Sequence, residues 1–181
     1  MKTIAAAQTD MRSAYFSGAP GIIASGTAWL VAALFALTVS ARAGILALVF
    51  GGMLIFPVSV VLCKILGCSG KHSKDNPLAA LAIEGTLWML LCIPVAVGAA
   101  LYRAQWFFPA MLFVIAGRYL TFATLYGLRL YWLFAAVLAI AGWVAIILKA
   151  PVFSGAFTGA LVEYCFGIVI YTRHKSGQKN T

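Results

Sequence analysis

Three ionisable residues, Glu84, Arg118 and Glu163, lie inside apolar stretches long enough to cross a bilayer. An ionisable side chain in such a stretch is costly to insert, so it faces the protein interior and belongs to a pairing network or a pathway. An arginine beside carboxylates can bind a small charged solute, and a carboxylate can also carry a proton. The chain has only four acidic residues, so half of its carboxylates are of this kind.

Six apolar segments must position these residues. The 181-residue chain is 64% hydrophobic and 9% charged, with a mean hydropathy of +1.00, which excludes an ordinary soluble domain. A membrane span needs about 20 mostly apolar residues. We therefore predict one all-α domain over residues 1–181, a polytopic transmembrane helical bundle in the lipid bilayer. Its predicted spans are residues 19–39, 44–66, 78–101, 107–127, 130–148 and 151–172.

The distribution of Lys and Arg predicts the orientation of this bundle. Nine of them fall on one side: Lys2, Arg12, Lys64, Lys71, Lys74, Arg129, Arg173, Lys175 and Lys179. Three fall on the other side: Arg42, Arg103 and Lys149. Because cytoplasmic loops are enriched in Lys and Arg, both termini are expected in the cytoplasm, and the location is a cell membrane, such as a bacterial inner membrane. Since the basic residues are scattered between spans, nucleic acid is not a predicted partner.

The depth of the three ionisable residues suggests that they converge. Arg118 and Glu163 each lie nine residues from the predicted inner end of their span. With a rise of 1.5 Å per residue, both lie about 13 Å deep, and Glu84 lies about 9 Å deep. We therefore predict an Arg118–Glu163 ion pair with Glu84 nearby. Such a cluster is either an ionic lock that fixes helix registry or a site for a substrate or proton, and both alternatives stay open.

Two further patterns concern the helices that carry this cluster. Thr121 and Thr124 follow Arg118 at successive i+3 positions, and this strip either lines a polar vestibule or bonds its own helix carbonyls. In the last span, Gly155, Gly159, Glu163 and Gly167 recur every four residues and share one face. Small residues allow close helix packing, so we expect Glu163 to be buried against protein.

Pro57 follows the pair Gly51 and Gly52 in the second span. Proline removes a backbone hydrogen bond and can bend a helix, so this segment is a candidate hinge. Proline is also tolerated in membrane helices without a role in transport.

No metal site, cofactor or catalytic residue is predicted. Cys63, Cys68 and His72 form C-x4-C-x3-H, which supplies only three loosely spaced ligands and is interpreted as structural. The other histidine, His174, lies in the charged tail, so the spans offer no histidine ligand for haem.

The run from Gly51 to Pro57, Gly-Gly-Met-Leu-Ile-Phe-Pro, together with Glu84 in the next span, resembles a family of uncharacterised bacterial inner-membrane proteins, a domain of unknown function. The resemblance covers most of the chain and implies no activity, ligand or partner.

Two functions fit these patterns. The first is a small transporter or permease in which Arg118, Glu163 and Glu84 form a cytoplasm-facing site for a small solute or proton. The second is a membrane subunit or scaffold without catalysis, which assembles as a homo-oligomer or with a partner subunit through the Gly-x-x-x-Gly face. An enzyme acting on lipid would need a histidine, a metal set or a nucleophile that the spans lack.

Overall fold

A computed structural model of the chain describes residues 3–179. Within them the α-helices are α1 (Ile4–Tyr15), α2 (Ala19–Thr38), α3 (Ala41–Ile65), α4 (Ala79–Tyr102), α5 (Phe107–Tyr126), α6 (Leu130–Ile147) and α7 (Val152–Lys179). Six helical segments, the first being α1 together with α2, are long and apolar enough to span a membrane. The prediction of an all-α chain with six such segments is confirmed. The bounds agree within three residues, except that α7 continues beyond residue 172.

Helix α1 was not expected from the sequence. Its first turn is capped by Thr3, whose side chain accepts a hydrogen bond from the Ala6 amide at 3.3 Å. One face, formed by Ala7, Met11 and Ala14, is buried. The spacing of these three residues at i, i+4 and i+7 is the sequence signal that could have revealed the helix.

A tight turn joins α1 to α2. Phe16, Ser17 and Gly18 have φ values of 51°, 54° and 90°, all in the left-handed region. Only glycine adopts this conformation without strain, so two non-glycine residues are held there by their surroundings. The Tyr131 hydroxyl donates a hydrogen bond to the Ser17 carbonyl oxygen at 2.7 Å, and a Cβ on Gly18 would lie 2.5 Å from that hydroxyl. This turn folds α1 back against the end of the bundle.

The helices divide into an interior group and two edge helices. Helix α2 packs against α7 and α3, and α5 packs against α6 and α4, while α6 and α5 also meet α7. Helices α2, α5, α6 and α7 thus enclose the core, whose largest buried side chains include Trp29, Phe107, Phe108, Tyr131 and Phe134. Helix α3 packs chiefly on α2, and α4 chiefly on α5.

Hydrogen bonds gather one set of helix ends together. Asn76 Nδ2 donates to the Ala7 carbonyl oxygen at 3.0 Å, and Gln8 Nε2 donates to the Thr124 carbonyl oxygen at 2.8 Å. The Ser17 hydroxyl lies 2.7 Å from Nδ1 of His174 near the end of α7. We call this the basic end, because Arg12, Lys64, Arg129 and Arg173 lie there, and we call the other the opposite end.

Helix α1 is tied to this end by polar contacts. The Asp10 carboxylate accepts hydrogen bonds from the Ser73 amide, the Ser73 hydroxyl and Asn76 Nδ2 at 3.0, 2.8 and 2.7 Å. Arg12 donates to the Tyr126 carbonyl oxygen at 2.6 Å, at the last turn of α5. A cation at a helix C-terminus satisfies free carbonyl groups and complements the helix dipole. Helix α1 is therefore an integral part of the bundle.

Candidate functional site

Glu163 of α7 lies in the centre of the bundle and is 1% exposed. Its Oε1 accepts a hydrogen bond from the Tyr119 hydroxyl of α5 at 2.8 Å. Ser25 of α2 lies beside the carboxylate, yet Oε2 is buried and has no hydrogen-bond partner of normal geometry among the described residues. A buried polar atom without a partner is rare in a native structure and points to strain, function or a bound water or ion.

The glycine stripe explains how the carboxylate becomes buried. A Cβ on Gly159 would lie 2.5 Å from the Trp29 ring of α2, and one on Gly155 would lie 2.9 Å from Phe108 of α5. A Cβ on Gly167 would lie 3.1 Å from Ile23 of α2. The stripe therefore packs against helices of the same chain. The face on which we expected assembly with another protein is already occupied.

The expected ion pair between Arg118 and Glu163 is not formed among the described residues. Arg118 Nη1 instead donates a hydrogen bond to the Thr86 hydroxyl of α4 at 3.0 Å, and its guanidinium carbon lies 5.2 Å from the centre of the Phe122 ring. Consecutive residues of an α-helix point about 100° apart, since there are 3.6 residues per turn. Because Tyr119 points at Glu163, its neighbour Arg118 points at α4.

The expectation that Glu84 joins the same cluster is also wrong. Glu84 is exposed on the outer face of α4, whereas its neighbour Gly85 is buried. A Cβ on Gly85 would lie 2.9 Å from the Thr121 hydroxyl, so this side of α4 is the one that meets α5. Depth was therefore insufficient to place Glu84, because the helix turns it away from the interior.

Thr121 and Thr124, the two threonines that follow Arg118 on α5, lie in different environments. The Thr121 hydroxyl donates to the Arg118 carbonyl oxygen of its own helix at 2.7 Å. Thr124 is exposed, and its carbonyl oxygen accepts the hydrogen bond from Gln8. For Thr121 the structure thus favours the alternative in which the hydroxyl bonds its own helix.

The candidate hinge lies on an edge helix. Helix α3 runs without a break from Ala41 to Ile65 with Pro57 inside it, exposed on its outer side. A Cβ on Gly51 would lie 3.3 Å from Ala28 of α2, whereas one on Gly52 would meet nothing within 4 Å. Bending at this segment stays a prediction.

Tyrosines form a buried column that was not predicted from the sequence. Tyr119, Tyr126 and Tyr131 are 3%, 7% and 0% exposed. The ring centres of Tyr126 and Tyr131 lie 5.7 Å apart, and those of Tyr131 and Tyr119 lie 6.0 Å apart. The column runs from the turn at Ser17 to Glu163. The available signal was that a tyrosine deep in an apolar span needs a partner for its hydroxyl.

No group of three or more His, Cys, Asp or Glu side chains that could hold a metal ion is found in the part of the chain that the structure describes. Nδ1 of His72 lies 2.8 Å from the Tyr15 hydroxyl. Burial raises the pKa of the Cys68 thiol, which disfavours the thiolate that a metal would need. These contacts fit the structural interpretation of the Cys63, Cys68 and His72 motif.

A family of unknown function, DUF7010, matches residues 4–173. The chain belongs to this family. The expected resemblance to an uncharacterised family is therefore confirmed. No curated protein and no solved structure matches the chain significantly. The DUF7010 match begins at the first residue of α1 and ends in α7, so α1, the column of tyrosines and Glu163 all lie within the matched residues.

Proposed function

We propose that the protein is a small multi-pass membrane transporter in which Glu163 carries a proton or binds a small cationic solute. The observation that carries this proposal is Oε2 of Glu163, a buried carboxylate atom that has Ser25 nearby but no hydrogen bond of normal geometry among the described residues. An ionised carboxylate in an apolar interior requires a compensating positive charge. A proton or a small cation would supply it.

The position of Arg118 supports this function over a structural ion pair. An ionic lock at Glu163 would need a cation in contact with the carboxylate. The guanidinium of Arg118 bonds Thr86 instead, and the hydrogen bond to Glu163 comes from the neutral hydroxyl of Tyr119. The absence of a cation beside Glu163 among the described residues therefore argues against an ionic lock at this position.

The orientation and the route form part of the same proposal. Because Lys and Arg are concentrated at the basic end, we place that end and both termini in the cytoplasm of a cell membrane. The tyrosine column then leads from the cytoplasmic side toward Glu163. Helices α2 and α7 are in close contact at this level, since a Cβ on Gly26 would lie 3.3 Å from Glu163 Cβ. Access to the site therefore requires these helices to separate.

Proton flux into proteoliposomes tests the proposal. The purified chain is reconstituted with a pH-sensitive dye inside, and a potassium diffusion potential drives protons inward. We expect the native chain to acidify the lumen faster than protein-free vesicles and Glu163→Gln to reduce this rate at least tenfold. Glutamine keeps the shape and can accept from Tyr119, but it carries neither proton nor charge.

Glu84→Gln is the matched control, because it removes the exposed carboxylate of α4 and should leave the flux unchanged. Melting temperatures of both variants in detergent report folding. A proton rate for Glu163→Gln equal to that of the native chain, or a native rate equal to that of empty vesicles, would refute the proton form of the proposal. A panel of small organic cations tested for uptake then decides the solute form.

A membrane subunit that holds a partner is the second candidate. It is favoured by the outward position of Glu84 on α4, since a carboxylate facing lipid is costly unless another protein or the headgroup region receives it. The contact surface would be the outer face of α4, not the glycine stripe. Crosslinking from Glu84→Cys in native membranes, with Leu101→Cys as a control at the opposite end, should yield one discrete product. Lipid adducts alone would contradict this function.

A further inference from the structure

A groove at the basic end lies between α1, the start of α6 and the last turns of α7. Its volume is about 500 Å³, within the range of small-molecule sites. Three arginines line it: Arg12 from α1, Arg129 from the turn before α6, and Arg173 from α7. Elements distant in sequence therefore bring three guanidinium groups to one concave surface, which we call the basic groove.

Among the described residues, no acidic side chain neutralises the charges of the basic groove. No Asp or Glu lines it in the part of the chain that the structure describes. The Asp10 carboxylate on α1 bonds Ser73 and Asn76 instead. Arg12 is held by the Tyr126 carbonyl oxygen, whereas Arg129 and Arg173 are exposed and form no ion pair with described residues. A concave site with three cations that no described carboxylate compensates attracts an anion strongly.

Other residues of the groove narrow the ligand chemistry. Leu128, Leu130 and Ile170 give it an apolar floor, and the hydroxyls of Thr9 and Ser13 lie among its polar groups. Nε2 of His174 is buried and has no hydrogen-bond partner among the described residues, while Nδ1 lies next to Ser17. Guanidinium groups match the oxygens of phosphate bidentately, and an apolar floor accommodates the glycerol or acyl part of an amphiphile.

We propose that the basic groove binds a phosphate group, carried either by the headgroup of an anionic phospholipid or by a free phosphorylated solute. Arg129 and Arg173 contact the phosphate oxygens, and Arg12 contributes charge while it caps α5. The site is separate from Glu163, which lies about 16 Å from His174 along α7, given 11 residues at 1.5 Å each. Binding here does not require transport through the interior.

Binding of tail-labelled phosphatidylglycerol to the purified full-length chain in mild detergent tests the proposal. Phosphatidylcholine with the same tails is the comparison lipid, and inorganic phosphate is the competitor. Each lost charge-assisted hydrogen bond weakens binding about tenfold, so Arg129→Gln/Arg173→Gln should lower the affinity for phosphatidylglycerol by at least tenfold. Arg42→Gln/Lys149→Gln removes the same charge at the opposite end and should leave the affinity within about twofold.

The outcomes separate the two sources of phosphate. Displacement of the lipid by millimolar inorganic phosphate shows that a free phosphate anion of net negative charge is sufficient, whereas resistance to it shows that the anionic lipid headgroup is required. Because Arg129 and Arg173 are exposed, the double variant should melt at the native temperature, which excludes misfolding as the cause. Equal binding of phosphatidylcholine and phosphatidylglycerol, unchanged affinity in the double variant, or equal loss in the control variant would overturn the proposal.

Discussion

Helices α3 and α5 show opposite relations between hydropathy and burial. The most apolar 18-residue segment of α3 has a mean hydropathy of 2.6, and only 6% of that segment is buried inside the protein. For the segment that contains α5 the values are 1.5 and 56%. In water the more apolar helix would be the core, but lipid tails are as apolar as leucine and leave no such preference. Between these two segments, greater hydropathy accompanies exposure on the outside of the bundle.

Packing against small residues distinguishes the two regions at the atomic level. In the interior, Gly159 of α7 receives the Trp29 ring of α2, and Gly142 of α6 lies against the Pro109 carbonyl oxygen of α5. At the edge, Gly52 of α3 and Gly98 of α4 face open space, with nothing within 4 Å of an added Cβ. The same residue type therefore allows close packing where helices meet and has no steric role at these outward-facing positions of the edge helices.

Substitution of these glycines should give the largest difference in stability between the interior and the edge helices. Gly159→Ala places a methyl group 2.5 Å from the Trp29 ring, and we expect it to reduce the free energy of unfolding by about 2–3 kcal/mol. Gly52→Ala meets no atom and replaces a poor helix former, so it should change stability by less than about 1 kcal/mol, in the stabilising direction. Unfolding by a denaturing detergent measures both, and equal losses would show that the edge is packed as tightly as the interior.

Removal of one tyrosine hydroxyl at a buried position and one at an exposed position should give a smaller difference in the free energy of unfolding. Tyr119→Phe takes the hydrogen bond from Glu163 Oε1 and leaves a buried carboxylate less satisfied, which should cost about 1–3 kcal/mol. Tyr164→Phe removes an exposed hydrogen bond to Thr27 and should cost about 0.5 kcal/mol. The same unfolding assay compares them. A Tyr119→Phe variant as stable as Tyr164→Phe would mean that the Glu163 carboxyl does not depend on this donor.

Glu84 and Glu163 should differ in how accessible their positions are to a chemical label. Glu84→Gln changes an exposed group and should alter the unfolding free energy by no more than about 0.5 kcal/mol. In a background without the four native cysteines, Glu84→Cys should react with a lipid-soluble maleimide in the folded protein, and Glu163→Cys should not. Reaction at both positions would place Glu163 on an accessible surface and contradict its burial in the interior of the bundle.

The sequence predicted the six spans because length and hydropathy alone define them. It also predicted that Glu163 is buried against protein, because Gly155, Gly159 and Gly167 mark one helix face by their spacing. The direction of Arg118 and Glu84 could not be predicted. Rise per residue gives depth along a helix, whereas the partner depends on rotation about the axis, and a helix apolar on all sides carries no pattern that fixes this rotation.

Helix α1 and the tyrosine column escaped prediction for a different reason. Aromatic residues near span ends are typical of the membrane interface, and Tyr126 and Tyr131 lie near such ends. The Phe16–Gly18 turn that follows α1 lies against both side chains, and α1 itself is too short and polar to be recognised as a span. One unrecognised helix thus changed the environment of several residues on other helices.

The left-handed turn at Phe16–Gly18 has a consequence for the order of events during synthesis. Residues of α1 and of this turn depend on partners that are made much later: Gln8 bonds a carbonyl 116 positions ahead, and Ser17 contacts His174, 157 positions ahead. Contacts at such separation form only after the intervening chain has emerged. Helix α1 is therefore made well before the residues that hold it in place, and it can dock only after α5 and α7 have been made.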